Sequence, residues 1–133
     1  MKKVLDDCIE WTNDKGELHR EDGPAIEWND GSREWIFNGN RHRLDGPATE
    51  WITGTREWWL DGKLHRLDGP AIERQSGTRE WWLDGKLHRL HGPAIEYHDG
   101  VKEWWIKGEK YSEEEWFNTI TEEAKIAYLF KKE

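Results

Sequence analysis

The chain has one cysteine, Cys8, so no internal disulfide can form, and a reducing compartment suits it. It is short of positive charge: 20 Lys and Arg against 28 Asp and Glu leave a net charge of -8. That balance excludes the basic stripe a nucleic-acid backbone requires and argues against docking on an anionic lipid surface. No apolar run approaches the ~20 residues of a membrane span. The start, Met1-Lys2-Lys3-Val4-Leu5-Asp6-Asp7, turns acidic at once, unlike a secretory signal. The expected location is therefore cytoplasmic. Cysteine pairs of the zinc-binding kind and glycine loops of the phosphate-cradling kind are both missing, so no metal and no cofactor is expected.

Proline is equally scarce, and its placement is the first positive signal. All four prolines (Pro24, Pro47, Pro70, Pro93) stand in one motif, His-Arg-x-Asp-Gly-Pro-Ala, written in full as His65 to Ala71. The motif recurs as His19 to Ala25, His42 to Ala48 and, with His91 in place of Asp, His88 to Ala94. Its glycines, Gly23, Gly46, Gly69 and Gly92, are 23 residues apart. A fixed period of this length is the signature of a repeat array. Four units follow: His19–Arg41, His42–Leu64, His65–Leu87 and His88–Lys110. Units two and three agree at 19 of 23 positions.

Within a unit, Asp-Gly-Pro reads as a turn. A short strand follows, such as Ala25-Ile26-Glu27-Trp28, then a polar loop, Asn29-Asp30-Gly31-Ser32. The second strand, Arg33-Glu34-Trp35-Ile36-Phe37, is rich in β-formers and ends in Asn38-Gly39. Asn-Gly here, and Asp61-Gly62 and Asp84-Gly85 later, are strong two-residue hairpin signals. A four-residue first loop pairs Glu27 with Glu34, Ile26 with Trp35 and Ala25 with Ile36. On that register Ile26, Trp35 and Phe37 share the core face. Trp59, Trp82 and Trp105 form a ladder on the other, each opposite an alanine and beside paired glutamates. Like charges facing each other are unfavourable, and the motif arginines are the expected neutralisers.

Residues 1–18 read as a degenerate half-repeat capping the array, with Ile9-Glu10-Trp11 as a strand whose spacing slips by one residue. Ser112-Glu113-Glu114-Glu115 is a capping box. Helical spacing continues through Trp116, Phe117, Ile120, Ala124, Ala127 and Tyr128, with Thr121 able to start a second helix. The expected fold is mainly β: a single twisted antiparallel sheet of stacked 23-residue β-hairpins over 19–111, closed by a helical cap over 112–133.

The succession Gly-Pro-Ala-Ile-Glu-Tyr, Asp-Gly, Glu-Trp-Trp and Gly-Lys over residues 9 to 111 resembles the MORN-repeat variants, and the His-Arg-x-Asp-Gly-Pro-Ala form is similar to repeat proteins of bacteriophages and large viruses. The resemblance implies a non-catalytic scaffold that binds a protein. For a viral protein it implies action in the host cytoplasm, with interference with a host defence as a natural role. The repeated His-Arg and the double Trp depart from the standard MORN unit.

Candidate binding residues are the ladder Trp59, Trp82 and Trp105, as a stacking platform, the motif residues Arg43, Arg66, Arg89, His65 and His88, and His91, the one departure from the motif. The same residues admit bland readings: indoles holding hairpins in register, histidines capping turns. An active site needs unlike groups converging on one point, and a regular array places like groups in rows. The leading expectation is thus a binding protein that is not an enzyme, with a protein partner and no nucleic acid or membrane; no oligomeric state follows. The alternatives are a protein that sequesters a nucleotide-like small molecule between Trp and Arg or His, and a hydrolase using His65 and Asp68.

Overall fold

The turn residues decide where the hairpins bend. In the computed structural model, which describes residues 1–132, Asn38, Asp61 and Asp84 sit at φ 47°, 47° and 48°, each followed by a glycine with positive φ. Two successive positive φ values define the type I′ turn, whose twist matches that of its strands. Lys107 adopts the same conformation at φ 50°, before Gly108.

The chain opens with β1 (Lys2–Val4) and β2 (Cys8–Trp11). The first unit supplies β3 (Ile26–Trp28), β4 (Arg33–Glu34), β5 (Ile36–Phe37) and β6 (Asn40–Arg41). The second supplies β7 (Thr49–Glu50), β8 (Arg56–Glu57), β9 (Trp59–Leu60) and β10 (Lys63–Leu64). The third repeats this as β11 (Ile72–Glu73), β12 (Arg79–Glu80), β13 (Trp82–Leu83) and β14 (Lys86–Leu87). The fourth gives β15 (Ile95–Glu96), an unbroken β16 (Lys102–Ile106) and β17 (Glu109–Tyr111). The first two strands of every unit join one antiparallel sheet of 11 strands, ordered β1-β2-β3-β4-β7-β8-β11-β12-β15-β16-β17. The second hairpin of each of the first three units forms a separate two-stranded ribbon. The split falls at Trp35, Trp58 and Trp81, whose N–H groups reach into the next unit, to Ala48 O, Ala71 O and Ala94 O, at 2.7 Å.

The first hairpin does not take the expected register. Ile26 pairs with Glu34, and Glu27 with Arg33. The loop holds three residues, with Trp28 N–H donating to Ser32 O and Gly31 at φ 98°. A positive-φ glycine closing a three-residue loop makes a bulged hairpin. A shift of one residue turns every side chain to the opposite face. The expected Glu27–Glu34, Ile26–Trp35 and Ala25–Ile36 pairs are therefore corrected. Ile26 shares a face with Glu34 and Ile36, and Trp35 lies on the other face with Glu27 and Arg33.

The corrected register removes the charge conflict. Across one face run Glu27, Arg33, Glu50, Arg56, Glu73, Arg79, Glu96 and Lys102, each paired with a neighbour of opposite sign. The other face alternates Ile26, Glu34, Thr49, Glu57, Ile72, Glu80, Ile95 and Glu103.

The array is sealed at both ends. At the start, Cys8, Ala25, Ile26 and Ile36 form a cluster with Leu5, Leu18 and Trp28 packed on it. At the far end lie α1 (Glu113–Thr119) and α2 (Glu122–Lys132). Ser112 caps α1 through the reciprocal bonds of a capping box with Glu115, and Thr121 Oγ1 accepts the Ala124 N–H to start α2. The helices bring Trp116, Ile120 and Ala124 onto Trp104 and Ile106, with Leu90, Tyr111, Phe117 and Tyr128 around them. Among the described residues no helix is long and apolar enough to cross a membrane.

Candidate functional site

The His, Arg and Gly of the repeated motif have internal tasks. The motif arginine folds back under its own loop. Arg43 Nε donates to Asp45 at 3.0 Å and Nη1 to Pro47 O at 3.0 Å, while the guanidinium carbon lies 3.7 Å from the centre of the Trp35 ring. Arg20, Arg66 and Arg89 lie in the same way over Trp11, Trp58 and Trp81. A weakly hydrated cation on an indole face is a favourable, partly dry contact. The glycine gives the guanidinium its room: a Cβ at Gly46 would stand 3.0 Å from Arg43 Cζ. The same arginines reach the glutamate on the first strand of their own unit, as in Arg20 to Glu27 at 3.3 Å and Arg89 to Glu96 at 3.1 Å. Burial lowers the Arg89 guanidinium from its ordinary range, with Glu96 opposing the shift.

The motif histidines act as acceptors. Nδ1 of His19, His42, His65 and His88 takes the backbone N–H of Asn38, Asp61, Asp84 and Lys107, at 2.9 to 3.0 Å. These donors are the first residues of the type I′ turns, so each ring pins the tip of its own unit's second hairpin. An accepting Nδ1 carries no proton. Burial, then the Lys107 charge, pushes His88 below the usual imidazole range.

The glutamate on the second strand of each unit is held by two donors. One oxygen takes the indole N–H of Trp59, Trp82 or Trp105 for Glu57, Glu80 and Glu103, at 2.9 to 3.1 Å. In the first unit Ile36 has no such donor, and Arg41 replaces it on Glu34. The other oxygen takes Trp28, Trp51, Arg74 or Tyr97 on Glu34, Glu57, Glu80 and Glu103. One position thus hosts three chemistries with one shared ability, donation. The Trp105 N–H holds Glu103 below the usual carboxylate range. Its partner Tyr97 is pushed above the phenol range by the same hydrogen-bonded glutamate.

The structure therefore divides the candidate residues. Arg43, Arg66, Arg89, His65 and His88 belong to the side that carries Trp35, Trp58 and Trp81. The ladder Trp59, Trp82 and Trp105 points the other way, with its N–H groups spent on glutamate. The ladder indoles and the motif Arg and His residues are not brought together; the indoles beside the motif arginines are Trp35, Trp58 and Trp81. His91 is exposed on the fourth motif loop. His65 and Asp68 are held by different partners, the Asp84 N–H and Arg66. Among the described residues no three His, Cys, Asp or Glu groups stand where they could hold a metal ion.

What remains open are grooves. Between the first and second motif loops lies one of about 940 Å³, with Trp35 and Phe37 as floor and Glu21 and Leu44 on its walls. Between the second and third lies one of about 630 Å³, over Trp58 and Leu60 and flanked by Leu44 and Leu67. On the opposite side a groove of about 470 Å³ runs between Trp82 and Trp105 and includes Lys86 and Lys107. Sequence reasoning missed Leu44 and Leu67, each 84% exposed. The available signal was a leucine in the third place of an otherwise polar turn motif.

No family model matches the chain, and neither the curated proteins nor the solved structures compared with it give a match.

Proposed function

We propose that the chain is a non-catalytic binding scaffold of the MORN-like kind, which engages a protein through the row of grooves between its motif loops. One observation carries this reading. The motif Arg and His residues are tied to partners within the array, and the grooves between the motif loops, rimmed by Asp45 and Asp68, expose Leu44 and Leu67 beside floors of Trp35, Phe37, Trp58 and Leu60. Aromatic floors with exposed aliphatic walls are what a protein partner's buried anchor residues need. The likeness of the motif to phage and large-virus repeat proteins makes a host protein, including a defence protein, the natural partner, acting in the host cytoplasm; this step is analogy.

The test is complex formation in solution. A partner recovered with the intact chain is expected to co-elute at fixed stoichiometry, and Leu44→Asp together with Leu67→Asp to abolish co-elution while the circular dichroism spectrum is kept. Co-elution untouched by both substitutions would remove the grooves from the reading.

A second reading has its own observation. Lys86 and Lys107 beside Trp82 and Trp105 combine cations with stacking surfaces, as a nucleotide-like anion requires. A thermal shift across a nucleotide panel, lost on Trp82→Ala, supports it; a flat panel rejects it.

A further inference from the structure

The hairpin tips break the repeat in charge. The glycine of each type I′ turn lies over a side chain of the preceding unit: Gly39 over Glu17, Gly62 over Asn40, Gly85 over Lys63 and Gly108 over Lys86. A Cβ added to the glycine would stand 3.2 to 3.7 Å from that side chain. The residue before the glycine is Asn38, Asp61, Asp84 and Lys107. The tips thus read Asn over Glu, Asp over Asn, Asp over Lys and, in the last place, Lys over Lys. Two costs meet at Lys107. Its φ of 50° is a left-handed conformation that Asn and Asp adopt more readily. It also stands beside a second cation, which repels it. Lys110, close by in sequence, reaches Glu103 at 3.9 Å; among the described residues neither Lys86 nor Lys107 has a carboxylate at ion-pair distance. In a chain of net charge -8, two adjacent cations without an acidic partner mark a place where the fold bears a cost it does not need, and such outliers point to function.

The indoles beside these lysines are open as well. In the ladder, the Arg41 guanidinium lies 5.3 Å from the centre of the Trp59 ring. Among the described residues no cation of the chain lies over Trp82 or Trp105. Their N–H groups are held by Glu80 and Glu103 at 3.1 and 2.9 Å, which fixes the rings in place, and both residues stay half-buried. The groove between them, about 470 Å³, takes in Lys86, Lys107 and Gly108. That size falls within the range of small-ligand clefts, about 300–1,000 Å³. One unit earlier, Asp84 beside Lys63 cancels the charge; only the fourth tip offers two cations together.

We propose that the groove between Trp82 and Trp105 seats one nucleoside monophosphate per chain, its phosphate between Lys86 and Lys107 and its base against an indole face. This rests on the second functional reading and adds to it the seat, the stoichiometry and the charge of the ligand. A phosphate monoester carries about −1.5 to −2 at pH 7, which two lysines neutralise. Every base has a face to stack, so the groove selects for a ring joined to a phosphate and not for one base over another. It lies on the side of the array opposite Leu44 and Leu67 and leaves the grooves between the motif loops free.

The test is calorimetric titration of the full chain with adenosine monophosphate at neutral pH and low salt. One site per chain is expected. Affinity should fall at least about tenfold with Lys107→Asp, which copies the tip of the preceding unit and so keeps the turn. A similar loss is expected for ribose phosphate, which lacks the base, and for adenosine, which lacks the phosphate. Binding should also raise the pH at which the His88 ring titrates, followed by NMR. Burial first, and then the Lys107 charge, hold that ring low, and the phosphate offsets the second of these. Affinity untouched by Lys107→Asp, or a His88 titration that does not move, overturns the seat and leaves the second reading standing. Equal affinity for ribose phosphate overturns the stacked base. No binding of the monophosphate up to about 1 mM overturns the inference, and if the whole nucleotide panel is flat the second reading falls with it.

Discussion

At the scale of single residues, the departures from the repeat mark where stability is stored or lost. Thr49 occupies the place of Ile26, Ile72 and Ile95, is fully buried, and its Oγ1 finds no hydrogen-bond partner among the described residues. An unsatisfied buried hydroxyl costs about 1–3 kcal/mol. Thr49→Val keeps the shape and removes the hydroxyl, so it should stabilise by about 1 kcal/mol, read as a rise of the urea midpoint at constant slope. Lys107 holds a positive φ that Asn38, Asp61 and Asp84 occupy with less strain. Lys107→Asn should therefore also stabilise, by about 0.5 kcal/mol, and an unchanged or lower midpoint would contradict the strain argument. Both substitutions were legible as outliers against the period. Their energetic sign was not, because burial and backbone angle do not appear in a repeat alignment of one chain with itself.

At the scale of elements, the hairpin turns and the capping box could be read from the sequence, since Asn-Gly, Asp-Gly and Ser-x-x-Glu act through nearest neighbours. The first hairpin could not. Gly31, Gly54, Gly77 and Gly100 set a three-residue loop, and counting loop residues by polarity gives four. That single residue decides which tryptophans face which side, and so places Trp59, Trp82 and Trp105 away from the motif Arg and His residues. The same register gives the ladder indoles their work on glutamates that are buried or half-buried. Trp105→Phe keeps the ring and deletes the donor to Glu103. A hydrogen bond to a charged group contributes about 1.5–3 kcal/mol, so the variant should lose stability on that order at pH 7. The pH dependence has a definite sign. Glu103 is held below its ordinary value, with the Trp105 N–H as first cause. Its contribution is therefore complete above the unfolded carboxylate value and fades as pH falls through the folded one. The gap between the wild type and Trp105→Phe, measured by urea unfolding, should be widest at neutral pH and narrow toward pH ~3. A gap independent of pH would assign the loss to packing alone.

At the scale of the molecule, the array behaves as a sum of units and nearest-neighbour contacts, and this makes deletion of one whole unit the sharpest test of the fold. Removing His65–Leu87 joins Leu64 to His88, a junction chemically the same as Leu87 to His88. Every contact that crossed the old boundary has a successor. Trp58 N–H would find Ala94 O in place of Ala71 O. Arg66 on Trp58 becomes Arg89. Arg56 meets Glu96 in place of Glu73, and Ile95 follows Glu57 as Ile72 did. Thr55 Oγ1, which accepts the Gln75 N–H, would accept that of His98, as Thr78 does now. The two sealed ends are untouched. The shortened chain should fold cooperatively, with a lower melting temperature because one inter-unit interface is lost. Its denaturant slope should fall by roughly a sixth, the share of 23 residues in 133. Removing His65–Lys86 instead, one residue fewer, places the rest of the chain one step out of register. Glutamates would then face glutamates, and Ile95 would exchange faces with its neighbours. That chain should fail to give a cooperative transition. Equal behaviour of the two deletions would mean that the units are not held by register, and with it would go the account of the charge ladder, the glutamate–indole bonds and the grooves between the loops.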